Sequence, residues 1–267
     1  MRHWTRPYRR AATALISIIR QRKRWKSLVI HHRRWTKTLP DFVAIPLLCG
    51  NVKNKCTCPA NLTIVLVHNY DHEPILEKSL RYVGIEHYVL LKPKSGKWPS
   101  NTQKLIELKK YIDSGDCSTE YILYIDSDDA VLRGDPGKAI EYLHEEGCDA
   151  LFSATPGTLH FSYLPELKQW ADELAHENGC EGLYLNSGVF VGKSAFLKDL
   201  LEEALTFVTD QDLTIAARIK LHREGTFAEN LPEFPKGGGS DHMIIRFLHP
   251  RYHPRIKVDF KRRLALR

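Results

Sequence analysis

The sequence contains no hydrophobic run long enough to cross a membrane and too few cysteines for a disulfide framework. Near the N-terminus, the apolar patch from Ala11 to Ile19 is only nine residues long before Arg20 ends it, whereas a membrane-spanning helix needs about 20 apolar residues. No small-residue cleavage site follows that patch, so a secretory signal peptide is not indicated. The six cysteines are scattered and include no Cys-x-x-Cys pair. They therefore indicate neither a structural zinc site nor a particular compartment.

Acidic residues are absent from residues 1–38, which hold 12 of the 39 lysines and arginines. The rest of the chain has 27 basic against 32 acidic residues, so the basic charge belongs to the N-terminal arm. Four interpretations of this arm stay open: a solvated tail, an organellar presequence, a membrane-surface helix and a nucleic-acid-binding arm. The tryptophans beside the basic residues suit a lipid interface or nucleic acid, and of these two partners we favour a membrane surface. We predict that residues 1–59 are a basic extension and connector, and that residues 60–267 form one domain.

The predicted domain alternates short apolar runs with segments of helical periodicity. Leu62–Val67 and Tyr121–Ile125 are continuous apolar runs, as expected of strands buried on both faces. This alternation predicts an α/β fold, with a mixed, mostly parallel sheet flanked by helices. The predicted strands are 62–67, 88–91, 121–125, 150–153, 184–191 and 256–259, and the predicted helices are 73–83, 102–112, 136–146, 165–176, 194–208 and 241–248.

Three carboxylates follow the predicted strand at 121–125 within four residues. They are Asp126, Asp128 and Asp129, and they repel one another unless a cation or hydrogen-bond donors neutralise them. Open α/β sheets bind ligands beyond the carboxyl ends of their strands. Mg²⁺ and Mn²⁺ prefer carboxylate oxygens and share their remaining positions with phosphate oxygens. The pattern therefore predicts a metal site that holds a diphosphate, although an acidic turn is a simpler interpretation of any isolated Asp-x-Asp.

Residues 101–192 resemble the glycosyltransferase domain of the procollagen lysyl hydroxylase family. Asp126-Ser127-Asp128-Asp129 is similar to its Asp-Ser-Tyr-Asp motif, with Asp128 in the place of the tyrosine. The segment at 185–192, Leu-Asn-Ser-Gly-Val-Phe-Val-Gly, resembles the family's Leu-Asn-Ser-Gly-Gly-Phe-Ile-Gly. The resemblance extends to Gln103-Lys104 in the preceding helix, to the strand at 151–154, and to Ser240-Asp241-His242 where the family has a run of aspartates.

This resemblance implies a metal-dependent fold of the GT-A type and transfer of a hexose, galactose or glucose, from a UDP-sugar to a hydroxyl group. The acceptor would be a hydroxylysine-type protein group or a glycan. Asp126 and Asp129 would bind Mn²⁺ or Mg²⁺. Five residues would contact the donor: Lys104, Asp126, Asp128, Asn186 and Gly188.

Two of the implied roles are catalytic and belong to Asn186 and Asp241. Asn186 would contact the donor sugar or the acceptor. Asp241 would orient the acceptor hydroxyl or act as its base, and capping of the helix at 241–248 is the other interpretation of that residue.

Several alternatives remain open from the sequence. The family's later histidine completes its metal site and has no counterpart before Arg267. A truncated chain, another third ligand and an inactive protein are all consistent with that difference. A non-catalytic nucleotide-sugar-binding protein is therefore the first rival function. The second is a phosphohydrolase of the haloacid dehalogenase type, in which the first aspartate of the motif is a nucleophile.

Overall fold

The computed structural model describes residues 27–31, 41–50, 52–94, 96, 98, 100–157, 165–208 and 240–266. Residues 1–26 and 32–38 of the predicted basic arm lie outside these residues. Within them the strands are β1 (Val29–His31), β2 (Leu62–Val67), β3 (Val89–Leu91), β4 (Tyr121–Ile125), β5 (Ala130–Leu132), β6 (Ala150–Thr155), β7 (Tyr184–Lys193), β8 (Ile256–Asp259) and β9 (Ala265–Leu266). The helices are α1 (Asp41–Cys49), α2 (Ile75–Val83), α3 (Gln103–Asp113), α4 (Gly137–Glu146), α5 (Pro165–Glu177), α6 (Ser194–Leu205) and α7 (Asp241–Tyr252).

The main sheet has six strands in the order β3-β2-β4-β7-β6-β8. Strand β2 is parallel to β3 and β4, and β6 is parallel to β8. Strand β7 is antiparallel to both of its neighbours, so five of the six strands run in the same direction. This confirms the predicted fold class, a mostly parallel mixed sheet flanked by helices.

Each face of the sheet packs on its own group of helices, because side chains alternate between the two faces of a strand. In β4, Leu123 and Ile125 pack toward the core formed with α1, α2 and α4. Ile122 and Tyr124 pack toward the core formed with α3, α6 and α7. Burial of each large aliphatic side chain contributes roughly 1.5–3 kcal/mol, so β4 is anchored on both faces before the chain reaches Asp126.

The structure differs from the prediction of a connector before residue 60. Helix α1 has a buried face that includes Ala44 and Leu48 and belongs to the core around α2. Strand β1 pairs with β5 and β9 in a separate three-stranded sheet. These segments are packed because their apolar side chains cover the α2 and β5 side of the domain.

No helix in the described ranges has both the length and the apolar character needed to cross a membrane.

Candidate functional site

The acidic loop leaves the carboxyl end of β4 and is fixed to two neighbouring elements. The backbone N–H of Asp126 donates to the carbonyl of Gly188 in β7 at 2.7 Å, and the Ser127 carbonyl accepts from the N–H of Leu76 at 3.2 Å. Asp126 is half-buried, Asp128 is exposed and Asp129 is buried. The loop therefore presents its carboxylates to different environments, although they are adjacent in sequence.

Lys104 from α3 lies between two carboxylates of this site. Its ammonium is 2.6 Å from Asp126 Oδ1 and 3.8 Å from Asp241 Oδ2, with the lysine side chain only 13% exposed. Burial alone would lower the pKa of Lys104, but the negative charges of Asp126, Asp241 and Asp129 outweigh burial and raise it. Lys104 therefore carries a fixed positive charge that joins β4 to α7.

Gly188 allows the backbone of β7 to approach the Asp126 carboxylate. A Cβ at this position would lie 2.7 Å from Asp126 Oδ2 and 3.3 Å from Asp126 Cγ. The approach results from an irregularity in β7, because the β6–β7 register shifts between Phe152, which pairs with Phe190, and Ser153, which pairs with Asn186. Such irregularities are common beside functional sites, where they redirect side chains.

Asp241 is the first residue of α7, and its side chain points into the site. The helix is capped by Ser240, whose hydroxyl accepts from the Met243 N–H at 3.4 Å, so the capping interpretation of Asp241 is wrong. Ser187 donates its hydroxyl to Asp241 Oδ2 at 2.6 Å. Burial by itself would raise the pKa of Asp241, but the Lys104 charge, the neighbouring His242 and the Ser187 hydrogen bond hold that pKa well below its usual range.

Asn186 is fully buried, and its amide group is used within the protein. Its Nδ2 donates to Ser153 Oγ at 3.0 Å, while its Oδ1 accepts from the Gly188 N–H at 3.2 Å and contacts His242 Nε2. We expected Asn186 to contact the donor or the acceptor directly. The structure differs from this expectation, because no part of the Asn186 side chain reaches solvent. What the structure assigns to Asn186 is the positioning of the Gly188 backbone and of His242.

Both ring nitrogens of His242 have polar partners in the site. Asn186 Oδ1 accepts from the Gly188 N–H, which identifies this atom as the amide oxygen. An amide oxygen can only accept, so His242 Nε2 is the donor in their contact. Ser187 donates its hydroxyl to the Asp241 carboxylate, and the same oxygen lies 2.7 Å from His242 Nδ1. The His242 ring therefore links Asn186 to Ser187 and lies beside Asp241.

Sequence patterns did not point to several polar residues of this site. Tyr124 is buried within β4 and donates its hydroxyl to Asp126 Oδ1 at 3.1 Å, and alternation along the strand gives no sign of that role. Ser187 and His242 fall within segments that resemble the family, but the resemblance assigns no role to either residue. Tyr70 follows β2, and burial followed by the nearby charge of Asp128 raises its pKa, which places its hydroxyl near the acidic loop.

Most of the predicted site residues converge, although they come from four separate elements. The structure brings Lys104, Asp126, Gly188 and Asp241 together, and Asn186 supports them from below. Asp129 is near enough to influence Lys104, whereas Asp128 points to solvent. Within the described part of the chain, no three His, Cys, Asp or Glu side chains are grouped closely enough to hold a metal alone.

No protein-family model matches the sequence, and no curated protein matches it. Among solved structures, the chain is similar to a glycosyltransferase involved in the glycosylation of the major capsid of PBCV-1. The identity is 15% and the TM-score 0.37, with 76% of this chain and 82% of that chain covered. A likeness this distant assigns neither a family nor an activity. The resemblance to procollagen lysyl hydroxylases therefore stays a prediction.

A cavity of about 600 Å³ lies away from the acidic loop, beside the first residues of β2. It is lined partly by Cys58, Leu62, His87 and Tyr88. Because ligands of open α/β sheets bind at the carboxyl ends of the strands, the acidic loop and not this cavity is the candidate site.

Proposed function

We propose that the protein is a metal-dependent glycosyltransferase that moves a hexose from a UDP-sugar to a hydroxyl acceptor on a protein or glycan. The observation that carries this proposal is the convergence of Asp126, Lys104 and Asp241 at the carboxyl edge of the sheet, with the glycine backbone at residue 188 against Asp126. Carboxylates and a lysine at one edge suit a ligand that contains both phosphate and a divalent cation.

The donor atoms of the site fit Mn²⁺ or Mg²⁺. Asp126 and Asp129 supply hard carboxylate oxygens, and the described residues include no group of three ligands that would form a complete protein cage. Mg²⁺-type ions are commonly bound by one or two carboxylates, with water and substrate phosphates completing the coordination. A metal bound by Asp126 and Asp129 would clamp the diphosphate and stabilise the charge that develops on it as the leaving group.

Asp241 and Lys104 have separate roles in this proposal. Lys104 contributes a positive charge for the diphosphate. A general base works best when its pKa is near the operating pH. Burial would raise the pKa of Asp241, but the charge of Lys104 and the neighbouring polar groups hold that pKa well below its usual range. Asp241 is therefore proposed to orient groups in the site and not to abstract a proton.

The nucleotide base has an aromatic surface available next to the acidic loop. Tyr70 stacks between His68 and His72, with ring centroids 5.1 and 5.3 Å apart and interplanar angles of 17° and 24°. His68 is buried and its Nε2 lies 3.0 Å from Glu77 Oε1, so it supports the stack from inside. His72 is exposed. We propose that the outer part of this stack contacts uracil.

A non-catalytic nucleotide-sugar-binding protein is the second candidate. The observation that favours it is the incomplete ligand set, with no group of three possible ligands among the described residues. Binding without turnover would distinguish this candidate from the enzyme.

The test is release of UDP from UDP-glucose and UDP-galactose by the purified full chain, with and without Mn²⁺. Transferases leak some donor to water, so no acceptor is needed. The variant carries Asp126→Asn with Asp129→Asn. The control carries Glu141→Ala with Glu173→Ala, two exposed carboxylates on helices α4 and α5.

Mn²⁺-dependent release by the wild type and the control, lost in the double variant, would support the enzyme. Mn²⁺-dependent UDP binding without release would favour the non-catalytic protein. A protein that neither binds UDP nor releases it would refute both candidate functions.

A further inference from the structure

Lys104 occupies the position between two carboxylates where an external cation would otherwise neutralise them. Its ammonium contacts Asp126 Oδ1 at 2.6 Å and lies 3.8 Å from Asp241 Oδ2. One carboxylate belongs to the loop after β4 and the other to α7, and the Lys104 side chain between them is only 13% exposed. The negative charge of the site is thus partly balanced by the chain's own cation.

Asp126 has little freedom to accept a second cation while Lys104 remains. Its Oδ1 also accepts the Tyr124 hydroxyl at 3.1 Å, and its Oδ2 faces the Gly188 Cα so closely that a Cβ would lie at 2.7 Å. The backbone N–H of Asp126 is held at 2.7 Å by the Gly188 carbonyl. The carboxylate is therefore fixed on both sides.

Asp241 has one carboxylate oxygen that is left without a hydrogen bond. Its Oδ1 is buried and has no hydrogen-bond partner among the described residues, although Oδ2 accepts from Ser187. A buried carboxylate oxygen without a donor is costly. The nearest basic group to this oxygen is His242 Nδ1, at 3.6 Å, so Asp241 keeps one acceptor without a hydrogen bond in the part of the site proposed to bind the donor.

Electrostatic repulsion would separate a lysine and a divalent cation that share Asp126. Even at the dielectric constant of bulk water, charges of +1 and +2 about 5 Å apart repel enough to change an affinity roughly tenfold. A lysine ammonium sits on a flexible four-carbon stem and can follow a phosphate group. The diphosphate of a donor is such a group.

We propose that Lys104 is the resident counter-cation of Asp126 and competes with the divalent metal for this carboxylate until the donor diphosphate draws the lysine away. The inference rests on the proposed function and adds a coupling to it. Metal alone binds weakly, and the diphosphate strengthens metal binding by relocating Lys104. Because such coupling is reciprocal, the metal strengthens diphosphate binding by the same factor.

The test measures free Mn²⁺ by electron paramagnetic resonance during titration of the full chain, with and without saturating UDP. The variants are Lys104→Met, Lys104→Gln and a matched control, Lys110→Met. Lys110 lies on the same helix but is 62% exposed and pairs with Glu107. Urea unfolding of each protein verifies that it is folded, and the glutamine variant keeps a donor for Asp126 if the methionine variant does not fold.

We expect Lys104→Met or Lys104→Gln to bind Mn²⁺ at least about tenfold more tightly than the wild type when UDP is absent. The strengthening of Mn²⁺ binding by UDP should shrink in these variants, and Lys110→Met should behave as the wild type. Mn²⁺ binding that is unchanged or weaker in the folded Lys104 variants would overturn the competition and leave the proposed function standing. A wild type that binds neither Mn²⁺ nor UDP, alone or together, would instead refute the proposed function and the inference with it.

Discussion

Replacing Gly188 with alanine should damage the site and the stability of the fold together. The added Cβ would lie 2.7 Å from Asp126 Oδ2, 3.3 Å from Asp126 Cγ and 3.4 Å from Asn186 Oδ1. A carboxylate at the end of a flexible side chain could turn away, but Asp126 is held by Lys104 at 2.6 Å and by Tyr124 at 3.1 Å. The strand must therefore move or the Lys104 contact must break. Overpacking of this kind typically costs about 1–3 kcal/mol.

Urea unfolding measures the loss of stability, and titration with UDP in the presence of Mn²⁺ measures the effect on the site. We expect Gly188→Ala to lower the free energy of unfolding by about 1–3 kcal/mol and to weaken UDP binding. Gly134→Ala is the control, because its Cβ would meet only Leu28 Cδ1, at an ordinary distance of 3.6 Å. A Gly188→Ala protein with the stability and UDP affinity of the wild type would show that Asp126 is not confined as described.

Two further predictions concern the histidines of α7. Burial, with a smaller contribution from His253, lowers the pKa of His249 from 6.5 to about 3, so below pH 6.5 the unfolded chain binds a proton that the folded protein does not. Stability should therefore fall as the pH drops from about 6.5 toward 3, by up to about 1.4 kcal/mol per pH unit. Urea unfolding between pH 4 and 7 should show a shallower dependence for His249→Gln, and an equal slope in both proteins would contradict this. His242→Ala removes a hydrogen-bond partner from both Asn186 and Ser187 and should cost about 1–3 kcal/mol at pH 7, so an unchanged unfolding free energy would argue against the His242 network.

The secondary structure was predictable wherever an apolar run is buried by the sheet itself. Strands 62–67, 121–125 and 256–259 are found at the predicted bounds. The first two are central strands, which need apolar residues on both faces, whereas 256–259 is an edge strand. Strands β1, β5 and β9 have only two or three residues each, too few for a periodicity to be recognised. Helix α1 was missed because Pro46 lies within it and its residues show no polar face.

The candidate site was predicted in part. Features that depend on residues close in sequence were predicted, whereas contacts between residues far apart in sequence were not. The position of Asp126 at a strand end follows from the local pattern alone. Its contact with Lys104 joins residues 22 positions apart, and the contact of Ser187 with Asp241 joins residues 54 apart. Pairings over such distances depend on how α3, β7 and α7 pack on the sheet, which periodicity does not specify. The burial of Asn186 depends on the same packing.

The sequence by itself determined that this chain forms a covered α/β sheet and that its acidic loop lies at a carboxyl strand edge. Both conclusions are local, because hydrophobic periodicity and chain direction are written along each segment. Tertiary structure alone decided that β7 runs against its neighbours, that Gly188 meets Asp126, and that Lys104 forms an ion pair with Asp126. These features depend on the register between strands and on close packing of helices. Both are set by contacts between distant segments and leave no periodic signal in any one of them.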